Sequence, residues 1–101
     1  MEFKWNGCKD LKEYVVGLRR EFHQFPEISE EEVNTSKRVQ KELDSLGIAY
    51  EVFPNHYGII GKIENGAGPV IALRADMDAL SVVEETGLPF ESCNSGKMHA
   101  C

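Results

Sequence analysis

The stretch "PVIALRADMDAL", Pro69 to Leu80, sets the fold class of this chain. Its first part, Val70 to Leu73, is a short and wholly apolar run bounded by turn residues. A run of that length and composition predicts a strand buried on both faces, which requires a sheet with helices covering it. Its second part, Arg74 to Leu80, brings an arginine and two aspartates to the carboxyl end of that strand. In open α/β sheets this is where ligands bind.

Working toward the N-terminus, the turn cluster "ENGAG" (Glu64 to Gly68) precedes the run, and two further strand-like segments precede the turn. These are "GIIGKI" (Gly58 to Ile63) and "IAYEVF" (Ile48 to Phe53), rich in β-branched and aromatic residues. Before them the period becomes helical. Leu11, Tyr14, Val15, Leu18 and Phe22 follow the i, i+3, i+4, i+7 spacing of an amphipathic helix from Asp10 to about Phe22. Pro26 ends that helix. Ser29 and Glu32 have capping-box spacing for a second helix through Val33, Val39, Leu43 and Leu46, which Gly47 stops. Toward the C-terminus, Gly87, Pro89 and "CNSG" indicate an irregular tail. The expected class is α/β: two helices, then about three strands in a mixed sheet. No tail element covers the second face of the buried strand, so the chain reads as the front part of something longer.

Composition narrows the function. The chain has 101 residues, room for one core, with 42% apolar and 28% charged residues. A net charge of −6 opposes binding to nucleic acid or to anionic membrane surfaces. No run approaches the about 18 apolar residues of a membrane span, and "MEFKWNGCKD" has no secretory apolar core. Cys8, Cys93 and Cys101 form no C-x-x-C pair and are odd in number, which suits reduced thiols in a cytoplasm.

Several residues could carry chemistry. Asp76 and Asp78 could bind a metal or orient a metal-bound histidine, or Arg74 could simply pair with one aspartate while the other caps a turn. His23 and Glu27 are four apart, but Pro26 between them denies the regular helix that would align them. They are expected to be a semi-buried histidine at a helix end and a glutamate in the next turn. Glu84 and Glu85 are adjacent, point apart, and are expected on the solvated surface. "MHAC" sets His99 two residues from Cys101. Imidazole and thiolate both suit zinc-like cations, yet two donors do not make a site. A nucleophilic Cys101–His99 pair is the rival possibility.

In order, "RREFHQFPEISEEE", "LDSLGI", "GIIGKI", "VIALRADMDAL", "EETGLPFES" and "GKMHAC" resemble the leading part of the M20 family of metal-dependent amidohydrolases. The resemblance runs from about Leu11 to Cys101 and favours the branch that hydrolyses N-acyl, hippuryl and indole-acetyl amino acids. It implies a metallopeptidase-like catalytic domain, with residues 1–101 as its N-terminal segment and a lid domain that often mediates homodimers. It implies a centre of two divalent cations (Mn, Zn, Co or Ni), and a small-molecule N-acyl amino acid as substrate.

In that family "MHAC" continues with Gly-His-Asp, and the cysteine is a metal ligand, so the resemblance makes Cys101 a ligand. Peptidase branches carry a metal-binding His-x-Asp where this chain has Arg74-Ala75-Asp76. Arginine cannot ligate a cation, which leaves Asp76 and Arg74 as supporting residues around the centre. Ser81 replaces the proline usual after "DAL". No general base is implied within these residues, so the 101-residue chain alone is expected to be inactive. The competing expectation is an α/β fragment or interaction domain without catalysis.

Overall fold

Two helices and a two-stranded sheet follow one another in chain order: α1 (Lys12–Gln24), α2 (Val33–Ser45), β1 (Ala49–Phe53) and β2 (His56–Lys62). The computed structural model describes residues 10–101, so the expectations for Cys8 and the N-terminal ten-residue leader reading lie largely outside the described residues. The α/β class holds.

The helix α1 ends where Pro26 predicts, with Phe25 at φ −122° leaving the helical region. Its expected apolar face is open: Leu11, Tyr14 and Val15 are exposed. What anchors α1 is polar. Arg38 of α2 donates to Glu21 of α1, and also to Glu42 at 2.8 Å.

The start of α2 corrects the expected capping box. Glu32 is the residue before the helix and makes no cap; its carboxylate accepts from the Glu30 N–H instead. The cap comes from Glu27, whose carboxylate accepts the N–H groups of Asn34 and Thr35 and the Thr35 hydroxyl at 2.7 Å. A carboxylate here satisfies amides that the first turn leaves without partners and faces the positive end of the helix. Ser29 is too early for this because Glu30, at φ +67°, turns the chain before the helix begins. The other end matches expectation. Gly47 adopts φ +68°, its N–H meets Asp44 O at 3.1 Å, and the Ile48 N–H meets Leu43 O at 3.0 Å. This 6→1, 5→2 pair is the Schellman termination that glycine allows.

β1 and β2 form an antiparallel hairpin across Pro54-Asn55, with Ala49 opposite Lys62 and a register irregularity between Val52 and Phe53. α2 packs on both strands. The third expected strand is the main departure. Residues 70–73 join no sheet, and Val70, Ile71 and Leu73 are 95%, 85% and 96% exposed. Consequently the sheet is antiparallel and two-stranded, not mixed and three-stranded. A strand apolar on both faces forms only between neighbours that pair its backbone and cover it, and the described residues supply neither.

Beyond residue 73 the irregular tail is tied back at a few points. Ala79 bridges Ile28 in parallel, with its N–H on Glu27 O at 2.8 Å. Leu80 and Met98 exchange both backbone hydrogen bonds, at 2.9 and 3.0 Å. Ala79 and Pro26 are buried at this junction.

Candidate metal-binding cleft

The Leu80–Met98 bridge brings the two sequence motifs together. It sets "RADMDAL" beside "MHAC", so Asp76, His99 and Cys101 line one cleft of about 540 Å³ between α1, α2, β2 and the tail. His23 lines it too. A larger cleft of about 1080 Å³ touches Arg74, Asp76 and Asp78 but neither His99 nor Cys101. The segment Ala75–Met77 and Ile59 of β2 border both.

Each predicted residue has a distinct setting. Arg74 Nη2 meets Asp76 Oδ1 at 2.8 Å, both side chains well exposed. Cys101 is an exposed free thiol, as is Cys93. His99 differs, because its Nε2 is sealed from solvent with no hydrogen-bond partner. Burial chiefly, and then the charge of His23, hold its imidazole below the usual histidine range, while Asp78 pulls the other way. The neutral form that results is the one able to accept a hydrogen bond or bind a cation.

Two pairs read from sequence as ordinary occupy notable places. Glu84, expected on the surface, is inside: its Oε1 accepts His23 Nε2 at 2.8 Å and Ser92 N–H at 2.9 Å. The Thr86 hydroxyl, against the opposing effect of burial, and then His23 and Ser92 hold its carboxyl down to about 2. Adjacent glutamates carry no burial signal of their own; only the fold separates Glu84 from exposed Glu85. His23 and Glu27 part as expected, one ending α1 and the other capping α2. Hydrogen bonds from Thr35 and Asn34 outweigh burial and keep the Glu27 carboxyl below its ordinary value.

Thiolate, imidazole and carboxylate suit borderline divalent cations. Among the described residues, however, no three His, Cys, Asp or Glu side chains converge closely enough to hold a metal ion. The donor types are those of a metal centre, and among the described residues their number does not complete one.

Comparison with known proteins decides the ancestry. A Bacillus subtilis structure described as a dinuclear metal-binding peptidase from the M20 family superposes with TM-score 0.84 at 41% identity, over 92% of this chain and 27% of that one. The chain belongs to the M20 family. Among curated relatives, an IAA-amino acid hydrolase of Arabidopsis thaliana is 45% identical over 92% of this chain and 21% of its own length. An N-acetyl-L-cysteine deacetylase of Bacillus subtilis is 44% identical over 90% and 22%. This M20 chain thus spans about a fifth of the curated relatives it matches. No protein-family model matches it.

Proposed function

We propose that these 101 residues are the leading segment of an M20-type catalytic domain that hydrolyses the amide bond of N-acyl amino acids. The observation that carries this is the meeting of Asp76, His99 and Cys101 on one cleft, in a chain 44% and 45% identical to a deacetylase and an amino acid hydrolase. In this reading Cys101 supplies one thiolate to a centre of two divalent cations. The exposed position of its sulfur suits that role, since a bound cation stabilises the deprotonated form. Asp76, held by Arg74, supports the centre from the side. Bound cations would polarise the amide carbonyl and lower the pKa of water. The remaining metal ligands, the general base and any lid belong to sequence beyond these residues. A net charge of −6 and the unpaired Cys93 and Cys101 thiols suit a cytoplasmic enzyme with a small-molecule substrate.

The residues described lack a complete centre, and this yields a direct test. Supplied with manganese or zinc, the 101-residue chain is expected to leave N-acetyl and N-benzoyl amino acids intact. A polypeptide extending it to its relatives' length should hydrolyse them and lose activity to a chelator. Hydrolysis by the 101 residues alone, or by the longer polypeptide in excess chelator, would overturn the proposal.

A further inference from the structure

His23 and Glu84 lie 61 residues apart in sequence and meet at 2.8 Å, with 12% and 4% of their side chains exposed. Glu84 is fixed from other sides as well, by the Ser92 N–H on the same oxygen and the Thr86 hydroxyl on the other. A carboxylate only accepts hydrogen bonds, so the proton at this contact sits on His23 Nε2. In the neutral ring Nδ1 is then a bare lone pair.

The surrounding frame keeps the ring in place. The Cys93 N–H reaches Gln24 O at 2.8 Å, Asn94 Nδ2 reaches Pro26 O at 2.9 Å, and Phe90 stands edge-on to His23 at 5.8 Å. Three contacts therefore bind the end of α1 to the segment 84–94. The ring they fix lines the same cleft as His99 and Cys101.

We propose that Glu84 positions His23 as a hydrogen-bond acceptor in the cleft, where Nδ1 receives the amide N–H of an N-acyl amino acid. This rests on the amidohydrolase function proposed above. A secondary amide brings one N–H donor that must be matched when water is displaced. Arg19, also on the cleft, can only donate, and one oxygen of Asp76 is engaged by Arg74. Of the two imidazoles on the cleft, His23 is the one whose proton a carboxylate pins to the far nitrogen. Glu84 acts through His23 and does not touch the substrate.

Two substitutions in the intact metal-loaded protein separate the acceptor from the clamp. In His23→Gln the side-chain amide still donates to Glu84 while the Nδ1 lone pair is gone. In His23→Asn an oxygen replaces Nδ1 but the side chain is too short for Glu84. We expect His23→Gln to keep its thermal midpoint and lose about tenfold in kcat/KM, and His23→Asn to melt lower with a smaller loss in kcat/KM. Spectra of 15N-labelled histidine at pH 8 should show His23 protonated at Nε2 and bare at Nδ1, the signal being assigned by its loss in His23→Gln. A proton on Nδ1, a mixture of tautomers, or a His23→Gln enzyme with the parent's kcat/KM would overturn the proposal. If the intact protein hydrolyses no N-acyl amino acid, the amidohydrolase function fails, while the ring spectra still decide whether Glu84 fixes His23.

Discussion

Glu84 accepts hydrogen bonds from an imidazole, a backbone amide and a hydroxyl, and each favours its charged form. Its carboxyl is held at about 2 against an ordinary 4.5, so folding favours the deprotonated state. The stabilisation is fully present above pH 4.5 and is lost as pH falls toward 2. Glu27, depressed by Thr35 and Asn34, acts in the same direction. Thermal unfolding followed from pH 6 to pH 2 should therefore show the parent losing more of its midpoint than Glu84→Gln between about 4.5 and 2. Parallel curves would show that the Glu84 contacts add nothing to folding. At this scale the sequence was only partly legible. Arginine beside aspartate in "RAD" announces the Arg74–Asp76 pair, which is local. The Glu84–His23 contact spans 61 positions, and no spacing rule reaches that far.

Among the elements, the two helices and the hairpin strands were legible because local chemistry decides them. Periodicity, Pro26 and Gly47 act over a few residues, and the hydrophobic pattern survives whatever packs against it. The capping box failed for an instructive reason. Ser29 and Glu32 have the spacing, but the helix begins later, at Val33, and Glu27 reaches over a turn to offer two oxygens to the amides of Asn34 and Thr35. Gly47 gives the sharpest element-level test. A Cβ there would meet nothing within 4 Å, so the cost of Gly47→Ala is conformational alone, from φ +68°. Urea unfolding should show a loss of about 1 kcal/mol. A gain, the usual result of adding a methyl where φ is negative, would mean that the Schellman end is not formed.

In the molecule as a whole, the apolar run Val70–Leu73 stands exposed. The sequence pattern is that of a strand buried on both faces, while the residues described form a two-stranded hairpin with α2 against it and leave that run exposed. Local pattern could specify that strand's character but not its neighbours. The candidate cleft is legible in the same partial way: "RADMDAL" and "MHAC" are recognisable motifs, and the fold brings them to one cleft through Leu80 and Met98. Coordination, by contrast, is a property of several segments together, and no three donors converge among the described residues. The central claim is that Cys101 is a ligand of the centre. It is tested most directly by measuring metal content and hydrolysis of N-acyl amino acids in the full-length enzyme with Cys101 and with Cys101→Ser. The account predicts that the parent holds two equivalents of divalent metal and that the serine variant loses both metal and activity. Equal metal content with unchanged activity would contradict it.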